Sequence, residues 1–245
     1  VAARADGLSV LALAAKVARG SGKDKDADWE VFNVLHTAAS RVAGLDLGFV
    51  PGKGGLDTAG ILQAAGTGAI SLVWLLGADE IDTAKLGKAF VIYQGSHGDA
   101  GAHRADVILP GAAYTEKSAT YVNFEGRAQT TAKAVFPPGE AKEDWTILRA
   151  ISGVLGSALP YDTLSALRAA MYKVAPMLAR LEQLDRAPGG IDALIAKGGT
   201  IGTEPFVTAV RDFYLTNPIA RASAVMAEMS ALKKSFEQGA TGTHG

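Results

Sequence analysis

The chain contains no cysteine. That removes disulfides, a thiolate nucleophile, cysteine-held iron–sulfur clusters and cysteine-type zinc sites, and it agrees with a reducing compartment. There is no excess of positive charge either: 24 Lys and Arg stand against 25 Asp and Glu, for a net charge of −1. Nothing is left over to neutralise phosphates, which argues against nucleic acid as a partner. Long hydrophobic runs are also missing. The longest, Ala69 to Ala78, is interrupted by Ser71, and a helix needs about 20 apolar residues to cross a bilayer core. Neither membrane insertion nor direct contact with lipid is expected. The opening Val1-Ala2-Ala3-Arg4-Ala5-Asp6 has no initiator Met and no charged-then-apolar leader, so the chain reads as a fragment of something longer.

What is present fits a folded protein. Hydrophobic residues make up 48% and charged residues 20% of 245, enough for one or two domains with substantial cores and unlike the composition of a disordered chain. Asp6 to Ala18 predicts a helix with Leu8, Leu11 and Ala15 on one stripe. Asp26 and Asp28 suit the start of another, continued by Val31, Leu35, Ala38 and Val42 at helical spacing. The middle changes character. Ser71 to Leu76, Ala89 to Gln94 and Asp106 to Leu109 are short apolar runs without alternation, each followed by Gly or Pro. Strands covered on both faces have this pattern, as in a parallel sheet. Tyr121 to Phe124 and Ala128 to Phe136 suit a strand pair turning near Glu125-Gly126. Beyond Pro138-Gly139 the chain turns helical: Trp145, Leu148, Ile151 and Leu155 form a stripe stopped by Gly156, and Asp162 is placed to cap the next helix. Pro176 can start another. Gly189 to Gly202 is loose. Asn217-Pro218 opens a last helix lined by Ile219, Ala222, Met226, Met229 and Phe236, with the methionines expected in its core, and the tail from Gly239 is expected to fray. The fold class expected is α/β, a mainly parallel sheet over about residues 60–136 flanked by helices.

No motif makes an active site. Gly52-Lys53-Gly54 lacks the glycine spacing and the Ser/Thr of a phosphate loop, and Gly66-Thr67-Gly68 precedes a strand where a dinucleotide fingerprint follows one. The most pointed segment runs from Gly95 to His103. His97, Asp99 and His103 are metal-capable residue types, but three scattered ligands make a poor site. Ser96 sits one position off a nucleophile elbow, which leaves a hydrolase using Ser96 with His97 or His103 as a weak option. The plainer reading is a demanding loop whose glycines take up positive φ, with or without a vestigial pocket. Glu116 and Lys117 with Glu125 and Arg127 can make an acid/base group, although charged pairs near a strand turn are more often structural. Ser230 to Lys233 matches S-x-x-K by chance, and His36 reads as a surface histidine.

Longer blocks carry a resemblance. Ala105 to Pro110, Glu116-Lys117, Asn123 to Gln129, Pro138 to Ala141 and Asp144-Trp145 resemble the molybdopterin oxidoreductase superfamily. Ile92 to Asp99, the run Leu109 to Asn123, Leu159 to Leu164, Asp212-Phe213-Tyr214, Ser223, Met226-Ala227, Asn33 to His36 and Leu45 to Gly48 look like the large iron–sulfur (75 kDa type) subunit family of respiratory complex I, closest to its bacterial members. Little is recognisable from Ala179 to Val207. The resemblance implies a molybdopterin-oxidoreductase-like domain without the cofactor over 1–156, a helical extension over 157–238 and a flexible tail over 239–245. It implies a non-catalytic scaffold in a complex that passes electrons from NADH to quinone, with no catalytic, cofactor or metal residue in this chain and with iron–sulfur clusters held in a missing N-terminal part. The implied partners are other subunits of the peripheral arm. The implied place is the cytoplasmic side of a bacterial inner membrane, or the matrix side in a mitochondrion. The rival is a fragment of a molybdopterin-dependent enzyme such as a formate dehydrogenase.

Overall fold

The structure, a computed structural model, describes residues 1, 4–22, 32–184 and 190–239. The chain divides into two compact units, one of residues 1–46, 121–129 and 177–209, the other of 47–120, 130–176 and 210–245.

The first unit is built on helix α1, Gly7–Gly20. Its inward face is made of small residues: Gly7, Ala12 and Ala15 are buried while Leu8, expected on the buried stripe, is 54% exposed. Small residues let a neighbour approach closely, and Arg19 meets Asp192 of helix α7, Gly190–Ile195, at 2.5 Å. That helix lies in a stretch expected to be loose; Ile191, Leu194 and Ile195 supply a helical apolar spacing that its glycines obscured. Asp6 chelates Arg4 at 2.7 and 2.9 Å and accepts the Gly202 N–H at 2.8 Å, tying the start of α1 to a distant loop. The helix expected from Asp28 to Val42 is not formed as drawn. Asp26, Asp28 and Val31 lie outside the described residues, Leu35 is irregular, and helix α2 starts only at Arg41 and ends at Asp46. Ser40 explains the break: its φ is 57°, which a right-handed helix cannot continue through. Its hydroxyl instead accepts the Val122 N–H at 3.0 Å.

The second unit holds the sheet. Strands β1 (Leu72–Leu76), β2 (Phe90–Gly95) and β3 (Val107–Pro110) are parallel in the order β1-β2-β3, within the span and in the orientation expected. Helix α3, Thr58–Gly66, is capped by Asp57, which accepts the Gly60 N–H at 2.8 Å. A turn at Thr83–Leu86 carries the chain from β1 to β2, and helix α4, Ala100–Arg104, from β2 to β3. These elements cover one sheet face. Val73, Leu75, Val91 and Tyr93 pack there with Ala65, Leu86 and Ala89. Ile108 on the edge strand β3, expected buried, is 52% exposed, whereas Val73 and Leu75 on the other edge strand, β1, are buried. Hydrogen bonds Thr131 N–H to Ala119 O and Asn123 N–H to Arg127 O define an antiparallel pair of β4 (Thr120–Val122) and β5 (Ala128–Thr130), shorter than the pair expected.

Helix α5, Asp144–Val154, ends as expected before Gly156, whose φ of 75° suits a helix stop. Thr163, not Asp162, caps helix α6, Leu164–Val174: its hydroxyl accepts the Ala166 N–H at 3.1 Å, while Asp162 pairs with Arg149 at 2.7 Å. Pro176 opens a short 3₁₀ turn, Pro176–Ala179. The final helix is two. Asn217 caps helix α8, Pro218–Arg221, and helix α9 runs from Ala224 to Gly239. Ser223 interrupts them by accepting the Met226 N–H at 3.4 Å, the side chain competing with the backbone. The stripe is not a core face, since Met229 is 36% and Phe236 68% exposed. Among the described residues no helix is long and apolar enough to cross a membrane.

Candidate functional site at the carboxyl ends of β1 and β2

Open parallel sheets present their sites beyond the carboxyl ends of their strands. Here that edge is charged. The loop after β1 turns at Gly77, with φ of 60°, and delivers Asp79 and Glu80; the loop after β2 delivers Asp99. Arg221, last residue of α8, reaches all three. Its Nη2 is 2.7 Å from Asp79 Oδ1 and 3.3 Å from Glu80 Oε1, and its Nε donates to Asp99 Oδ2. The Asp79 side chain is fully buried, and its other oxygen accepts the Gly101 N–H at 3.1 Å. One guanidinium and one backbone amide therefore compensate a buried carboxylate, as such a charge requires.

Tyr93 forms the floor. It is buried, and its hydroxyl donates to the His97 carbonyl at 2.9 Å. Burial, then the charge of Asp79, raises its pKa above the ordinary tyrosine value. Burial opposes ionisation of Asp99, but the hydrogen bonds from Arg221 and the Ala100 N–H outweigh it and hold its carboxyl below the ordinary value. Burial also works against the charge on Arg221, and the carboxylates overcome it to raise its pKa.

The loop glycines have a different job from the one expected. Gly95, Gly98 and Gly101 do not take up positive φ. A Cβ on Gly95 would stand 2.3 Å from the Tyr93 hydroxyl oxygen, and one on Gly101 2.6 Å from the ring and 2.9 Å from Asp79 Cβ. Close packing on Tyr93 is the constraint.

The other sequence candidates fall apart or into structural roles. Ser96 Oγ and His97 Nδ1 are 2.9 Å apart, but they are chain neighbours and Ser96 is exposed. Asp99 is engaged with Arg221, and among the described residues no group of three or more His, Asp or Glu is placed to hold a metal. Glu116 accepts the Ala113 N–H at 2.9 Å, closing its own turn. Lys117 pairs with Asp144 at 2.5 Å, and Asp144 also accepts from Gln94 Nε2 at 3.0 Å. Glu125 and Arg127 belong to the first unit, where both backbone amides donate to Asn123 Oδ1 at 3.0 Å in the hairpin turn. Sequence reasoning missed Arg221 and Asp79, the centre of the cluster. They lie 142 residues apart, and the available hints were an Asp just beyond a buried strand and an Arg ending a helix opened by Asn-Pro.

Comparison with known proteins places both halves of this cluster. The family described as molybdopterin oxidoreductase matches residues 1–154, and the family described as the C-terminal region of the G-type subunit of NADH-ubiquinone oxidoreductase matches 186–229. The NADH-ubiquinone oxidoreductase 75 kDa subunit of Reclinomonas americana is 41% identical over 94% of this chain and 33% of its own length. The mitochondrial 78 kDa subunit of Neurospora crassa is 44% identical over 84% and 27%, and that of Candida albicans 46% over 82% and 28%. The chain thus spans a third or less of the relatives it matches. Acetylene hydratase from Pelobacter acetylenicus aligns over 70% of this chain and 24% of its own at 16% identity, with a TM-score of 0.39.

A molybdopterin cofactor carries anionic phosphate. The strand ends present Asp79, Glu80 and Asp99, and Arg221 between them is committed to those carboxylates. These residues do not fit the group, and no step is derived through it.

Proposed function

The chain belongs to the molybdopterin oxidoreductase family, and from that premise we propose that it is a structural, non-catalytic part of a large NADH–quinone oxidoreductase subunit. In this reading the clusters that carry electrons sit in the part of the subunit that precedes it. The chain contacts other subunits of the peripheral arm and stands on the cytoplasmic side of a bacterial inner membrane. The matched blocks, 1–154 and 186–229, support a functional division near residue 156.

One observation carries the proposal. Arg221 comes from the block characteristic of NADH-ubiquinone oxidoreductase, and it neutralises Asp79 and Asp99 of the molybdopterin-type block at the sheet edge where such folds bind ligands. The arrangement converts a ligand edge into an internal tie. The names of the relatives favour this over a fragment of a molybdenum enzyme such as formate dehydrogenase.

The test is an assembled complex carrying Arg221→Ala. A scaffold predicts less assembled complex but unchanged NADH–quinone turnover per complex. Normal assembly with turnover reduced tenfold or more would instead make the cluster part of the electron-transfer machinery.

A further inference from the structure

Residues 210–236 belong to the sheet unit, yet apolar burial does not hold them there. Among the described residues of this span only Ser230 is buried, and the apolar cluster on the sheet includes none of them. Phe213, Val225, Leu232 and Phe236 are exposed. The segment is nevertheless folded on itself. Asp212 accepts the Tyr214 N–H at 3.1 Å, which starts a 3₁₀ turn, Phe213–Leu215. Its other oxygen accepts the Ser230 hydroxyl at 2.5 Å and lies 3.5 Å from Lys234 Nζ, so the turn is braced against the middle of α9. Asn217 caps α8 and Ser223 accepts the Met226 N–H where α9 begins.

What this segment presents to the sheet is charge: Arg221, set among Asp79, Glu80 and Asp99. Ion pairs that give up hydration in order to form contribute little net stability, so docking through them is readily reversed. The Arg221 and Asp99 side chains keep 24% and 23% of their surface in solvent, which puts the pair within reach of screening by salt. The chain leading into the segment, residues 203–211, is exposed and forms neither helix nor strand. No element there has to break for the segment to swing.

We propose that residues 212–239 form a strap that docks and undocks as one folded piece, with Arg221 as its latch. Closed, the strap keeps its guanidinium among the carboxylates at the strand ends. Open, it returns Asp79, Glu80 and Asp99 to solvent as an acidic edge, while the sheet and its apolar cluster stay folded. Local opening of this kind is drawn from segments with few buried apolar contacts, and the strap is such a segment. The inference stands apart from the subunit reading, since it rests on contacts within this chain alone.

The absence of cysteine supplies the experiment. Lys88→Cys on the sheet unit and Glu228→Cys on α9 are exposed positions, and a fluorophore pair on them reports the distance between sheet and strap in the full chain. At low salt a single narrow distance distribution is expected. Molar sodium chloride broadens it, raising the undocked fraction at least threefold. Arg221→Ala broadens it at low salt, with helix content by circular dichroism unchanged, and Arg221→Lys falls between. Asp212→Asn, which removes the brace inside the strap, lowers helix content instead. A narrow distance retained in Arg221→Ala places the latch elsewhere and overturns the proposal. Broadening that always comes with loss of helix overturns it as well, since the strap is then not one folded piece. A distribution already broad at low salt removes the closed state. If Arg221→Ala fails to fold, the salt series on the labelled chain with Arg221 intact decides: a distance that salt does not move rules out the latch.

Discussion

Arg221 Nη2 stands 2.7 Å from Asp79 Oδ1, and the Asp79 side chain has no exposed surface. Removing the guanidinium leaves a buried carboxylate with a single amide donor. Arg221→Ala is expected to cost about 3 kcal/mol, the usual consequence of breaking a buried pair from one side. Arg221→Lys keeps the charge but cannot reach three carboxylates in a planar fork, and it should fall between the two. Asp79→Asn in the Arg221→Ala background should recover part of the loss. Urea unfolding monitored by circular dichroism measures these three variants and Asp79→Asn alone; additive single and double variants would mean that the pair is not coupled.

Gly95 and Gly101 are held to glycine by the Tyr93 ring, not by backbone conformation. Gly101→Ala places a methyl 2.6 Å from that ring and should cost about 2 kcal/mol, as overpacking does. Gly98→Ala, where nothing lies within 4 Å, should be neutral to within about 0.5 kcal/mol. Equal thermal shifts for the two would remove the packing explanation.

Much of the fold was legible because it is local. The three apolar runs announced β1, β2 and β3, and Asn217-Pro218 announced a helix start. What was hidden depends on other parts of the chain. Ser40 breaks a periodic helix pattern because its hydroxyl serves Val122, 82 residues away. Alanines instead of Leu8 face inward on α1 because of what packs there. The candidate site was half visible: the loop from Gly95 to His103 drew attention for its histidines, yet the side chain it gives the cluster is Asp99, its other contributions being the Gly101 N–H to Asp79 and the His97 carbonyl to Tyr93. Arg221 and Asp79 carry no local pattern that marks them as partners.

Asp99 ties stability to acid pH. Its folded pKa lies below the ordinary 3.8, so its contribution is fully present above that value and is lost as pH falls through the folded pKa. Asp212 acts in the same sense, since the Ser230 hydroxyl donates to it at 2.5 Å and lowers its pKa. Urea midpoints should be flat above about pH 5 and fall below about pH 4. Asp99→Asn should start lower and fall less steeply. An identical acid slope in that variant would place the dependence elsewhere.

Tyr93 governs the alkaline end, and there the sign reverses. Burial and the nearby charge of Asp79 keep the phenol protonated above its ordinary 10.0. The stability that its neutral form contributes is complete below that value and is lost as pH rises through the folded pKa. Of the 6 tyrosines, one should ionise late in an ultraviolet titration, and its ionisation should accompany unfolding. Tyr93→Phe should remove that late step and lose about 1 kcal/mol at neutral pH from the missing hydrogen bond to the His97 carbonyl. If all tyrosines titrate together in the folded chain, Tyr93 does not occupy the buried floor between Gly95 and Gly101, and the tight packing assigned to those glycines goes with it.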